Sequence, residues 1–242
     1  RRGDREDGRD LRHVAARDAG MTEAPRQLML PFPHVPGFAA ADFLIAPSNE
    51  AAMAWIGRVQ DWPEHRLLLW GQTGCGKTHM LHLWADRIGG TLLPGPTLRG
   101  IPTVPAGGGI AVDDADLAAE EEALLHLLNA AREAGRPVLM AARTPPARWT
   151  IQLPDLASRL RAVTAIEIMP PEDSLLRALL ARLLADRQLA VPAALQEWLL
   201  LRLPRTPAAL REAVARLDGA GGRIDRTLAA DVVTALAQAD DA

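Results

Sequence analysis

The chain has 242 residues, of which 48% are hydrophobic and 24% are charged, and its formal net charge is −3 at pH 7. This composition excludes a wholly disordered chain, and the slightly acidic balance argues against a protein that coats nucleic acid by electrostatic attraction. A single cysteine excludes a disulfide framework and fits a reducing compartment, and the apolar runs are too short to span a membrane, so we expect a cytoplasmic protein.

Residues 1–20 are rich in charge of both signs, with six Arg and five Asp or Glu. So few apolar side chains cannot offset the chain entropy of an ordered structure. Met21 opens a different composition. We therefore predict that residues 1–20 are a disordered extension upstream of the true start.

Residues 21–38 are predicted to form an extended tail, because four prolines between positions 25 and 38 disfavour a helix. The tail nevertheless carries apolar side chains, among them Leu28, Leu30 and Phe32. The residues alone leave two interpretations open. The segment packs on its own domain, or it inserts into a groove of a partner.

The strongest motif is GQTGCGKT at Gly71–Thr78, which matches G-x-x-x-x-G-K-[ST] in full. The apolar run Leu67–Trp70 before it predicts a buried parallel strand, and His79–Ile88 after it predicts a helix that ends at Gly89. Strand, glycine loop and helix form a P-loop, whose backbone N–H groups and helix N-terminus bind phosphates. We expect Lys77 to reach the β- and γ-phosphates.

A second motif follows about forty residues later, where Gly107–Asp114 reads as an apolar strand that ends in two carboxylates. A strand followed by a helix cap would look the same, but the spacing from the P-loop favours a P-loop NTPase. Asp113 would then hold the Mg²⁺ shell together with Thr78, and Asp114 would orient the attacking water. Aspartate is shorter than the glutamate common in fast ATPases, so we expect weak ATP hydrolysis at most.

These two motifs predict ADP or ATP with Mg²⁺ as cofactors. Cys75 occupies a loop position that tolerates any small residue, and we assign it no catalytic role. The predicted nucleotide-binding residues are Gly71, Thr73, Gly74, Cys75, Gly76, Lys77, Thr78, His79 and Asp113.

A third strand is predicted at Pro137–Ala142, followed by Arg143 at the position where AAA+ ATPases place a polar sensor residue. Within Leu153–Arg161 we then predict a short helix followed by an arginine pair, Arg159 and Arg161. Such arginines are usually solvated. Their position after the third strand also fits an arginine finger, which reaches the nucleotide of a neighbouring subunit.

The pattern after residue 170 is helical throughout. We therefore predict an α/β AAA+ P-loop domain with a parallel sheet flanked by helices over residues 39–170, and a small all-helical lid over residues 171–242. Thr206 is predicted to cap one lid helix, with Pro207 at its first position. The predicted lid helices are Glu172–Gln188, Pro192–Leu203, Ala208–Leu217 and Thr227–Gln238.

Several stretches resemble the AAA+ core of the DnaA family of bacterial replication initiators: DFLIAPSN from Asp42, LLLWGQTGCGKTHML, IAVDD, and RTPPARW through LASRL. The resemblance runs from about Asp42 to about Leu217. DnaA also carries an N-terminal interaction domain and a C-terminal DNA-binding domain, which we do not expect here. The sequence therefore resembles the Hda family of DnaA-homologous regulators.

Members of the Hda family carry a clamp-binding peptide of the form Q-L-x-L-P-L, and QLMLPF at residues 27–32 is very similar. The resemblance replaces the packed interpretation of this segment. It implies that Gln27, Leu28, Leu30 and Phe32 insert into a groove of the sliding clamp, the β subunit of DNA polymerase III.

The resemblance also implies a mechanism, in which the clamp-tethered regulator docks on ATP-bound DnaA, stimulates hydrolysis of that ATP and so prevents re-initiation. Arg159 is the implied finger and acts in trans. The implied partners are DnaA and the clamp, with DNA reached only through the clamp, no membrane, and a possible homo-oligomer.

Two positions depart from the family. Arg143 stands where DnaA carries Asp, and the arginine of the DnaA lid aligns near Ala208, so that Arg205, Arg211 or neither replaces it. The alternative function is an active AAA+ ATPase that loads a replicative helicase and contacts single-stranded DNA.

Overall fold

The computed structural model describes residues 43–104 and 107–240. The N-terminal segments 1–20 and 21–38, with the candidate clamp-binding residues Gln27, Leu28, Leu30 and Phe32, lie outside the described residues.

Five parallel strands form one sheet in the order β2-β3-β4-β1-β5. Both faces of a parallel sheet are covered, so its inner strands read as continuous apolar runs, as in the RLLLW and VLMAA segments. Since the strand order reverses beside β1, the carboxyl end of this strand is where a ligand is expected in an open α/β sheet. The strands are β1 Arg66–Trp70, β2 Thr91–Pro94, β3 Ile110–Asp113, β4 Val138–Ala142 and β5 Thr164–Glu167.

Four helices cover the two faces of this sheet. Side chains alternate along β1, so that Leu67 and Leu69 pack with Trp84 in one core while Leu68 packs with Leu127 in the other. The helices are α1 Glu50–Ile56, α2 Lys77–Ile88, α3 Glu121–Glu133 and α4 Pro154–Arg161.

Four further helices follow the sheet and are called the lid below. They share a core of their own, centred on buried residues such as Leu180, Leu199 and Val214. No helix in the described ranges is long and apolar enough to cross a bilayer. The lid helices are α5 Asp173–Asp186, α6 Ala193–Leu200, α7 Pro207–Gly219 and α8 Arg226–Asp240.

The predicted fold class, a parallel α/β sheet followed by helices, is confirmed. One local prediction is wrong. Arg159 and Arg161 lie within the last turn of α4 and not after it. The basic residues suit this position, because cations are favourable at the C-terminal end of a helix.

Thr206 begins α7 as the sequence predicts, since its hydroxyl accepts a hydrogen bond from the backbone N–H of Ala209 at 3.1 Å. We expect Thr206→Ala to lower the free energy of unfolding by about 1 kcal/mol, because the first turn of α7 loses this acceptor. Urea denaturation measures the loss. Thr206→Ser keeps the hydroxyl and should stay within a few tenths of a kcal/mol of the parent; an equal loss in both variants would contradict the capping role.

Candidate nucleotide-binding site

The P-loop connects the carboxyl end of β1 to α2. A Cβ on Gly71 would lie 2.5 Å from the carbonyl oxygen of Ile168, so only glycine fits there. Gly74 and Gly76 have φ of +81° and +101°, values that L side chains rarely adopt. The backbone can therefore curl over the N-terminus of α2, whose first N–H groups have no intrahelical acceptor and attract anions.

The Lys77 ammonium is held inside this loop. The side chain is only 6% exposed, and Nζ donates hydrogen bonds to the carbonyl oxygens of Gly71 at 2.7 Å and Gln72 at 2.9 Å. The chain has 27 Lys and Arg residues, and Lys77 is the only lysine among them, a feature of the sequence that was not noted above. A buried cation beside a helix N-terminus suits a phosphate group.

Cys75 also lies in the loop, with its Sγ 3.8 Å from the Lys77 Nζ. Burial raises the pKa of the Cys75 thiol, although Lys77 opposes the shift. The raised pKa favours the protonated thiol.

Thr78 and Asp113 meet although they come from different elements. The Thr78 hydroxyl at the start of α2 donates to Oδ2 of Asp113 at the carboxyl end of β3, at 2.7 Å. Mg²⁺ is usually held by one or two such protein oxygens, with phosphates and water completing its shell. In the described ranges, no group of three or more His, Cys, Asp or Glu could form an all-protein metal cage. The residues present therefore fit Mg²⁺ held together with a nucleotide.

Asp114 has the left-handed backbone conformation, with φ of 49° and ψ of 47°, a costly geometry for a residue other than glycine. Its N–H donates to Oδ1 of Asp113 at 3.1 Å, and its side chain makes no capping hydrogen bond to the turn that follows. Burial raises the pKa of the Asp114 carboxyl, and the charges of Asp113 and Asp116 add to the shift. The carboxyl is thus not used as a helix cap, which was the competing interpretation.

Arg143 lies directly after β4 and pairs with Asp116. Its Nε and its backbone N–H both donate to Oδ2 of Asp116 at 3.3 Å. Asp116 was not predicted from the sequence, because nothing in its local pattern distinguishes it from the carboxylates of a turn. The pair joins the loop after β3 to the loop after β4.

The lid contacts the P-loop helix through Arg211. A terminal nitrogen of Arg211, on α7, lies 3.0 Å from Nδ1 of His79, which is 3% exposed. The ring of Phe43 meets the same imidazole edge-on, with centroids 5.2 Å apart. Arg205, the other candidate for the lid arginine, instead pairs with Asp173 on the lid surface.

Arg159 lies at the end of the sheet opposite to the P-loop. It lines a cavity of about 320 Å³ with Glu64, two residues before β1, whereas the P-loop follows the other end of β1. Burial lowers the pKa of Arg66, which is the first residue of β1. The positive charge of Arg159 lowers this pKa further, whereas the negative charge of Glu64 raises it. A parallel strand rises about 3.3 Å per residue, so five residues put roughly 17 Å between Arg159 and the P-loop of its own chain.

No protein-family model matches the sequence. The fold is similar to domain III of the replication initiation protein DnaA from Thermotoga maritima, with a TM-score of 0.66 and 16% identity over 85% of this chain and 99% of that chain. The chain has the AAA+ fold of DnaA. AMPPCP-bound DnaA from Aquifex aeolicus matches with a TM-score of 0.61 and 14% identity, over 75% of this chain and 65% of that chain.

A second kind of AAA+ protein is also similar. RuvB from Thermotoga maritima, a Holliday junction branch migration motor, matches with a TM-score of 0.56 and 20% identity, over 78% of this chain and 67% of that chain. Identities this low establish the fold alone. The roles of the site residues therefore rest on the geometry of this chain and not on these similarities.

Proposed function

We propose that this protein is a nucleotide-binding, DnaA-like regulator of replication initiation that binds the sliding clamp and stimulates hydrolysis of the ATP held by DnaA. The observation that carries the proposal is the separation of Arg159 from the P-loop of its own chain by the length of β1. A guanidinium at that distance serves a nucleotide only on another molecule. The rate of ADP production from ATP-bound DnaA, in the presence of DNA-loaded clamp, tests it.

The regulator's own nucleotide, ADP or ATP, is assigned to the P-loop. Lys77 and the first turn of α2 bind the phosphates, and Thr78 with Asp113 would hold Mg²⁺, which neutralises phosphate charge when bound. Asp114 would orient water. Its shorter side chain and strained backbone favour slow turnover, so the bound nucleotide would order the protein rather than drive a motor.

Arg211 is assigned as the lid residue that senses this nucleotide, because it contacts the imidazole directly after Thr78. Arg211→Ala should weaken nucleotide binding about tenfold, the value of one charge-assisted hydrogen bond. Arg205→Ala is the matched control, since Arg205 lies on the same lid and pairs with Asp173. Isothermal titration with ADP measures both. An equal loss in the two variants would remove the assignment.

The peptide QLMLPF at residues 27–32 is assigned to the clamp. Its basis is the family motif, with Gln27 and the apolar Leu28, Leu30 and Phe32 as the anchors of an extended segment in a hydrophobic groove.

Gln27→Ala with Leu30→Ala should abolish retention of the protein on immobilised clamp, because the motif loses one polar and one apolar anchor. The nearby Arg26→Ala variant, outside the motif, should be retained like the parent. Retention of the double variant would refute clamp binding through this peptide. Tight binding of single-stranded DNA by a clamp-negative parent would instead favour the helicase-loader alternative.

A further inference from the structure

The arginines of the lid divide into two groups. Five of them form ion pairs with lid carboxylates, and Arg211 reaches His79. The three others, Arg202, Arg223 and Arg226, are exposed and form no ion pair within the described part of the chain. All three lie around one tryptophan or the cavity beside it.

That tryptophan is Trp198, on the outer side of α6. The guanidinium of Arg202 lies 4.5 Å from the centroid of the indole ring, and that of Arg226 lies 5.5 Å from it. Such cation–π contacts hold the two guanidinium groups in place. Arg202 also donates a hydrogen bond to the carbonyl oxygen of Trp198 at 3.4 Å, so two groups of the same tryptophan fix its position.

A cavity of about 690 Å³ opens beside this ring, between α6 and the start of α8. Its lining combines apolar side chains, among them Pro192 and Leu195, with Trp198, Arg223 and Arg226. Asp225 also lines it, but the Asp225 Oδ1 already accepts two backbone N–H groups at the start of α8. We call this cavity, with Arg202, the Trp198 cleft.

We propose that the Trp198 cleft binds a segment of a partner protein that carries carboxylates next to a large apolar side chain. The guanidinium groups supply paired donors that match carboxylate geometry, and the apolar wall takes the hydrophobic side chain. The volume lies within the usual range of ligand pockets. The proposal is independent of the nucleotide site, which lies on the P-loop.

Charge argues for a peptide over a single-stranded nucleic acid. A nucleic acid needs a basic groove that follows several phosphates, together with a free aromatic face for its bases. Here the basic residues form one cluster, guanidinium groups already cover the indole, and the whole chain is slightly acidic.

The test uses the ¹⁵N-labelled full chain and the acetylated, amidated peptide GEELFEEG. The six tryptophans contribute one indole N–H signal each, and the signal that disappears in Trp198→Phe is that of Trp198. We expect the peptide to shift this signal selectively and saturably at millimolar or lower concentration. The peptides GQQLFQQG and GEEGGEEG, which lack the carboxylates or the apolar pair, should bind at least about tenfold more weakly.

Arg223→Glu with Arg226→Glu should weaken GEELFEEG by at least about tenfold, because the cluster changes sign. Arg58→Glu with Arg99→Glu is the control for the change of charge: both arginines are exposed, and Arg58 stacks on Trp55 as Arg226 does on Trp198, although both also form ion pairs, with Asp61 and Glu120. The glutamine pair, Arg223→Gln with Arg226→Gln, removes the two charges without reversing them and should also weaken binding. It replaces the glutamate pair in the test if the reversed charges disturb folding.

Three outcomes would overturn the proposal. The Trp198 signal stays in place up to millimolar GEELFEEG, or GQQLFQQG binds as tightly, or an oligo(dT) of matched length shifts the signal while the peptide does not. The last outcome would assign the cleft to nucleic acid. Neither clamp retention nor DnaA-coupled hydrolysis enters these measurements, so the proposal stands or falls separately from the function above.

Discussion

Replacing Arg159 with alanine should abolish the stimulation of DnaA-bound ATP hydrolysis while leaving nucleotide binding by this protein unchanged. A guanidinium that stabilises transition-state charge in trans is worth about 10³- to 10⁵-fold in rate, and its loss should return hydrolysis to the basal rate of DnaA. Nucleotide binding should be preserved because Arg159 lies at the far end of β1 from the P-loop. ADP release from pre-loaded ATP-DnaA, with DNA-loaded clamp, measures the effect.

Two variants sharpen this experiment. Arg159→Lys keeps the charge but loses the planar fork of donors, so it should restore little of the stimulation. Arg161→Ala removes the second arginine of the same helix turn, which is exposed, and should keep most of the stimulation. Full stimulation by Arg159→Ala would exclude a finger role, whereas equal losses for both alanine variants would point to a general docking surface.

The second large effect is expected from Lys77→Met, which should weaken ADP and ATP binding by about 10- to 100-fold. The change removes the single cation of the loop, and a hydrogen bond from a charged group contributes about 1.5–3 kcal/mol. Lys77→Arg should rescue poorly, because Gly71 and Gln72 surround the ammonium closely and a guanidinium is larger. Fluorescent-nucleotide titration measures both variants.

Loss of binding must be separated from loss of folding. Thermal unfolding without nucleotide should change little in Lys77→Met, whereas the stabilisation that added ADP gives the parent should disappear. A variant that is still stabilised by ADP to the same extent would show that the P-loop is not the nucleotide site. Persistent clamp retention would show that the N-terminal peptide acts independently of the nucleotide.

Much of the candidate nucleotide site was predictable because the residues that form it are close together in sequence. The glycines, Lys77 and Thr78 are fixed by one eight-residue motif, and Asp113 ends a strand whose apolar run is buried on both sides. Both edge strands, Thr91–Pro94 and Thr164–Glu167, were missed, because each has only four residues, none of them fully buried, and gives no long apolar run.

The contacts between the lid and the P-loop could not be predicted from patterns along the chain. Arg211 and His79 are 132 residues apart, and only the packing of α7 brings them together. The choice between Arg205 and Arg211 was left open for this reason. The pairing of Arg143 with Asp116 depends likewise on the parallel order of β3 and β4, which brings the loops after both strands to one edge.

The position of Arg159 at one end of β1 and of the P-loop at the other gives the molecule a polarity. If only one such contact forms between two molecules, the interface is heterologous and the pair keeps one unused end of each kind. A two-fold pair would instead make the contact twice and use both ends of each molecule. Growth of such a one-sided assembly ends where the rotation between successive members closes a ring, and it continues as a helical filament where the rotation does not close.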